Sequence, residues 1–239
     1  MIKAQKSAFF SKTFHLYNTF WLLKRSFSSI SIKGTFHQED AGVLILANHS
    51  SWWDGLITFY LTQTVCPYDS YAMMSEKGMR EFPFFKRIGA FSVDVEKPRS
   101  IVETLSYAKA KLHNHKAVWM FPQGAEQPLE KRPLEFKTGS AHLATKDKKV
   151  TIYTITYYYM MSHEQKPRLY IEISSPIHSH SFTKRSRQEV TTLLEETMTT
   201  QLNQQRDNIA REDTSDYTVL LSGNRSVSDW FNTLSGSKS

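Results

Sequence analysis

An α/β fold, a single domain with a central mixed β-sheet flanked by helices and preceded by an N-terminal amphipathic helix, is predicted by three observations. From residue 43 onward short β-rich runs alternate with helical patterns, the order that builds a sheet covered by helices. Hydrophobic residues make up 40% of the chain and charged residues 22%, which excludes disordered and collagen-like classes. The length of 239 residues suits one domain with terminal additions, and no internal repeat divides it.

The expected organisation is a lead-in over residues 1–38, a domain over 39–213 and a tail over 214–239. The lead-in holds six basic residues (Lys3, Lys6, Lys12, Lys24, Arg25 and Lys33) and no acidic one. Within it Phe10, Phe14, Tyr17 and Trp21 recur at helical spacing. Such a stripe either packs on the domain or lies among lipid headgroups with its lysines near anionic phosphates. No apolar run approaches the roughly 18 residues of a membrane-spanning helix, and the N-terminus lacks the uninterrupted apolar core of a signal peptide.

Strands are expected over 43–47, 70–74, 90–95, 117–121, 150–159 and 169–174. A helix with Val102, Leu105 and Leu112 on one face follows a capping box of Ser100 and Glu103. A second, over 186–210, marks one face with Val190, Leu193, Leu194, Thr197, Met198 and Leu202. The Ser- and Gly-rich end of the tail is expected to fray.

Two segments carry chemistry. Asn48-His49-Ser50-Ser51-Trp52-Trp53-Asp54-Gly55 stands directly after an expected strand, and strand ends are where α/β proteins build sites. Histidine is the usual general base near neutral pH, and a carboxylate can fix its tautomer and stabilise its protonated form. His49 and Asp54 thus make the base-and-orienter half of a triad, with Asp54 as a simple helix cap the competing reading. With no serine or cysteine nucleophile paired to them, the attacking hydroxyl would come from the substrate. Phe121-Pro122-Gln123-Gly124-Ala125-Glu126 likewise follows an expected strand.

Together these segments resemble the first and third blocks of the glycerolipid acyltransferase family, which includes enzymes acylating lysophosphatidic acid: Asn-His, four residues, Asp, then Phe-Pro-Glu-Gly. The stretch from Phe84 to Asp94 is similar to the second block, and Phe136-Lys137-Thr138-Gly139 to the Phe, Lys and Gly that customarily follow the third. The resemblance covers about residues 40–160. It implies a His49 general base, an Asp54 orienter, and an acyl-CoA or acyl carrier protein thioester as donor to a lipid acceptor. Gly124 would let the backbone approach the substrate, and Gln123 would occupy the place of an acceptor-binding glutamate. No cofactor and no metal is implied.

The departures concern phosphate. Val95 and Glu126 stand where the family customarily has arginines associated with the acceptor phosphate, which removes two guanidinium forks and adds a repelling carboxylate. Lys97, Arg99, Lys131 and Arg132 are near enough in sequence to compensate, with Lys97 and Arg99 the substrate-binding candidates. The fourth block, at residues 150–155, lacks its usual proline. The expected acceptor is a lysophospholipid such as 1-acylglycerol-3-phosphate, with a glycolipid or carotenoid-glycoside hydroxyl as the alternative. A catalytically silent membrane-binding homologue is a further alternative.

The net charge of +7 fits an anionic partner. No nucleic-acid-binding module accompanies it, so a membrane surface is the expected partner. A single cysteine, Cys66, suits a reducing compartment, and the expected location is cytoplasmic, peripheral on the inner face of the membrane. The pairs His113/His115 and His178/His180 lack further metal ligands at a recognised spacing. The run Tyr157-Tyr158-Tyr159 reads as core or edge packing rather than as an acyl channel.

Overall fold

The computed structural model describes residues 1–146 and 149–225. A central strand, β2 (Gly42–Ala47), buries all six of its residues, as a strand covered on both faces must. Around it stand β1 (Ser29–Lys33), β3 (Ser70–Ser75), β4 (Ala90–Val93), β5 (Ala117–Met120), β6 (Val150–Met160), β7 (Arg168–Ile173) and β9 (Thr218–Ser222). They form one mixed sheet in the order β4-β3-β5-β2-β6-β7-β1-β9, while the two-residue β8 (Ile177–His178) pairs with β6. The strands from β4 to β6 run parallel, β7 opposes β6, and β9 opposes β1.

Alternation along each strand sorts the core onto two faces. Val43, Ile45, Trp119, Tyr153, Ile155 and Ile171 point to one. Helix α3 (Asp54–Thr64) covers it with Ile57 and Leu61. Leu44, Leu46, Val118, Met120 and Ile152 point to the other. Helices α5 (Pro98–His113), α6 (Gly139–Lys146) and α7 (Arg187–Ala210) pack there. On α7 the buried positions include Val190, Leu194, Met198 and Leu202, and Ser186 and Glu189 close a reciprocal capping box at its start.

Three sequence expectations are corrected or refined. Helix α5 begins at Pro98, two residues before the expected cap: proline's preset φ and missing N–H suit a first helical position. Ser100 is instead buried in the first turn, where its Oγ accepts the Asp94 N–H at 3.1 Å. The lead-in supplies β1 and the tail supplies β9, so both ends extend the sheet. Residues 226–239, where fraying was expected, lie outside the described residues.

The N-terminal helix runs from α1 (Ala8–Tyr17) through a π-helical segment (Asn18–Leu23) into the single turn α2 (Lys24–Ser26). Its aromatic stripe divides. Phe14 packs on Phe59 of α3 and on Phe84, with ring centroids 5.2 and 5.1 Å apart. Tyr17 and Trp21 are exposed, and beside them Phe9, Leu16 and Phe20 form an uncovered row. The Asn18 side chain donates to the Leu56 carbonyl at 3.0 Å, tying this helix to the first turn of α3. A short helix α4 (Glu76–Glu81) and a 3-10 turn (Pro83–Ile88) precede β4. Among the described residues no helix is long and apolar enough to cross a membrane.

Candidate active site

The site lies where parallel strands β2 and β5 end side by side, and two loops leave from those ends. The first holds His49 and leads into α3, whose first residue is Asp54. His49 Nδ1 and Asp54 Oδ2 are 2.9 Å apart. The same Oδ2 accepts the backbone N–H groups of Ser50 and Ser51 at 2.7 and 2.9 Å, and Tyr159 Oη donates to Oδ1 at 2.5 Å. Asp54 is thus not a helix cap: it is the first residue of α3, and its hydrogen bonds go to the residues before the helix. Its carboxylate is fully buried and points back at the loop that precedes its own helix, with the positive end of the helix dipole favouring its charge.

A carboxylate only accepts hydrogen bonds, so the contact with Asp54 assigns the proton of neutral His49 to Nδ1 and leaves a lone pair on Nε2. The imidazole keeps a quarter of its side-chain surface open and stacks on Phe121, with centroids 4.4 Å apart and ring planes 19° apart. Below it Asn48 extends the β2/β6 ladder. Asn48 Oδ1 accepts the Tyr157 N–H at 2.7 Å, and its Nδ2 donates to the Tyr157 carbonyl at 3.1 Å.

The second loop wraps the backbone of the first. The His49 N–H donates to Gln123 Oε1 at 2.6 Å, and the Gln127 N–H donates to the His49 carbonyl at 3.0 Å. Gln123 Nε2 is also occupied, donating to Gln127 Oε1 at 3.3 Å, and the residue is only 4% exposed. Gly124 follows with φ of +76°, a left-handed conformation that glycine adopts without a Cβ penalty. The Gly124 N–H closes the turn onto the Phe121 carbonyl at 3.1 Å. Helix α7 holds the far end of the loop: Glu195 accepts the N–H groups of Glu135 and Phe136 at 2.9 and 3.1 Å.

The structure thus brings His49, Asp54, Gln123 and Gly124 together. Lys97 and Arg99 stand beyond the end of β4, three strand positions from β2, which is about 14 Å of sheet width. Lys97 pairs with Asp94 at 2.7 Å, and both basic residues are exposed. Of the other two basic candidates, Lys131 pairs with Glu135 at 2.8 Å, and Arg132 directs Nε to Asn203 and Nη1 to the carbonyls of Leu129 and Lys131. Lys137 lies closer, its stem passing beside Gly124. Among the described residues no group of three or more His, Cys, Asp or Glu is placed to hold a metal ion.

Sequence reasoning missed Tyr159. Its one signal is strand periodicity: Tyr153, Tyr157 and Tyr159 share a face of β6, and that face meets α3, which begins with Asp54. Burial and the adjacent Asp54 charge hold the Tyr159 phenol well above its usual pKa, so it stays a donor at physiological pH.

Comparisons with known proteins agree with this architecture. A family model described as Acyltransferase matches residues 29–158, more than half of the chain. Among solved structures, the 1-acyl-sn-glycerophosphate (LPA) acyltransferase PlsC from Thermotoga maritima is similar, with a TM-score of 0.54 and 16% identity over 82% of this chain and 76% of that one. That likeness is one of fold. No match was found among the curated proteins. The matched span runs from β1 to β6 and takes in both loops of the site, and on it the assignment rests: the chain belongs to the acyltransferase family and is an acyl-transferring enzyme.

Proposed function

We propose that this enzyme moves a fatty acyl group from an acyl thioester, of coenzyme A or acyl carrier protein, to a hydroxyl of a lysophospholipid such as 1-acylglycerol-3-phosphate. The observation that carries the reading is the 2.9 Å contact between His49 Nδ1 and Asp54 Oδ2 at the end of the central strand. His49 Nε2 takes the acceptor's hydroxyl proton as its oxygen attacks the thioester carbonyl carbon. The C–O bond forms, the C–S bond breaks, and the departing thiolate receives the proton from His49. Asp54 stabilises the imidazolium between these two transfers. Gln123 braces the backbone of the base, and Gly124 keeps the turn beside it free of a side chain.

The enzyme works at a membrane surface, on this reading. Phe20 and Trp21 at the end of the N-terminal helix are 56% and 53% exposed, and Trp52 in the His49 loop is 57% exposed. Arg25 lies over the Trp21 ring at 3.6 Å and Lys24 over Phe20 at 5.1 Å, an aromatic and cationic surface suited to anionic headgroups. The Asn18–Leu56 hydrogen bond keeps that helix next to the His49 loop. Lys97 and Arg99 are the proposed contacts for an extended acceptor.

A second acceptor class is favoured by one observation: Glu126 is exposed in the Gln123 loop, where a carboxylate would repel a phosphate. A glycolipid hydroxyl avoids that repulsion. The deciding experiment is thioester consumption by purified protein with acyl-CoA and either lysophosphatidic acid or a glycolipid extract, with His49→Ala as control. Loss of transfer in the variant with membrane association kept is the expected result. Unchanged turnover by His49→Ala removes the mechanism.

A further inference from the structure

We propose that Tyr159 is a positioning residue for the acyl transfer, acting through Asp54 to hold the carboxylate in the orientation that fixes His49; the inference rests on the His49/Asp54 reading above. Asp54 Oδ2 already takes three contacts, from His49 Nδ1, Ser50 N–H and Ser51 N–H. Oδ1 takes the phenol of Tyr159 at 2.5 Å. With Tyr159 removed, one oxygen of a fully buried carboxylate loses this partner, and the group can turn about its Cβ–Cγ bond, carrying Oδ2 away from His49. A carboxylate anchored at both oxygens cannot turn.

The backbone that presents Tyr159 is fixed independently of the site. Tyr159 pairs with Leu169 in the antiparallel β6/β7 ladder, and its ring packs beside Phe27 with centroids 6.1 Å apart. Two residues earlier on the same strand, the Tyr157 backbone donates to Asn48 Oδ1 and accepts from Asn48 Nδ2, and its hydroxyl lies 2.9 Å from Thr58 Oγ1 of α3. Strand β6 therefore grips the His49 loop through Tyr157 and the orienter through Tyr159. The distance between base and orienter is set by strand register as well as by the loop that joins them.

The test measures kcat and KM in wild-type enzyme, Tyr159→Phe, Asp54→Asn and the double variant, with His49→Ala alongside. Tyr159→Phe removes one oxygen and keeps the ring on Phe27, and its melting curve checks that the fold survives. The expected result is a kcat lowered about tenfold, KM values for donor and acceptor within about twofold of wild type, and less than a twofold further loss when Tyr159→Phe is added to Asp54→Asn. A residue that only fills the core would act by the same factor in both backgrounds. An equal factor, or a wild-type kcat in Tyr159→Phe, overturns the proposal. Full activity in His49→Ala would instead overturn the reading beneath it, so the two failures are told apart.

Discussion

Asn48 is bonded to the backbone of Tyr157 through both ends of its amide, accepting at 2.7 Å and donating at 3.1 Å. This side chain does what the next residue pair of a β-ladder would do, one step past the last register pair of β2 and β6, Ala47 and Ile155. His49 follows immediately, so the loop of the base starts from a pinned point. Asn48→Ala is expected to leave a buried N–H and carbonyl unpaired, costing about 2 kcal/mol or more of stability, and to lower kcat as the loop loosens. Chemical denaturation and initial rates on the same preparation check both. A variant as stable and active as wild type would show that the loop holds itself.

The exposed aromatic row predicts a separation of membrane binding from folding. Phe20 and Trp21 are more than half exposed and belong to neither core cluster, so the double replacement by serine should change stability by no more than about 0.5 kcal/mol. Withdrawing two aromatic side chains from an interface should weaken binding to anionic vesicles tenfold or more. Sedimentation with vesicles at low and high salt reads the effect. Equal binding by the variant would assign the row to another role.

Stability should also report the ion pair at the edge between β7 and its preceding turn. Arg168 Nε donates to Glu164 Oε2 at 3.0 Å, and this hydrogen bond, with the guanidinium charge, lowers the Glu164 pKa to about 2. A carboxylate whose folded pKa lies below its unfolded value stabilises the fold fully above that unfolded value, near 4.5, and loses the effect as pH falls toward 2. The pair is partly exposed and screened, so the contribution is at most about 1 kcal/mol. Glu164→Gln should lower stability at neutral pH and flatten its fall between pH 5 and 2, about the window in which the carboxyl titrates. A wild-type pH profile in that variant would contradict the pairing.

What the sequence made legible follows from where the physics is local. Strand β2 and helix α7 are written in adjacent residues, and each stands where expected, while the short separation of His49 and Asp54 in sequence lets one loop bring them to 2.9 Å. Strand β1 was hidden because its sequence, Ser-Ile-Ser-Ile-Lys, sits in a basic lead-in and finds its partner β7 some 140 residues away. Tyr159 was hidden for the same reason: its contact with Asp54 spans 105 positions and depends on the register of β6 beside β2. Sequence proximity also misled. Arg132 is near the Gln123 loop in sequence, yet its guanidinium is turned onto Asn203 of α7.

Position 126 is the sharpest handle on the acceptor. Glu126 is exposed, two residues beyond Gly124 in the loop that grips His49, and Lys137 passes beside that glycine. A phosphate brought beside Gly124 would find Lys137 near and the Glu126 carboxylate two residues on, whereas arginine at position 126 would offer it a bidentate fork. Glu126→Arg should therefore lower KM for lysophosphatidic acid about tenfold and leave KM for an uncharged glycolipid acceptor within about twofold, because only the phosphate senses the charge reversal. The exposed site lets the fold tolerate the change, which a melting curve verifies. An equal shift for both acceptors would mean that residue 126 acts on loop geometry. No shift for either would mean that the acceptor headgroup lies elsewhere, with the end of β4 and its Lys97 and Arg99 the next place to mutate.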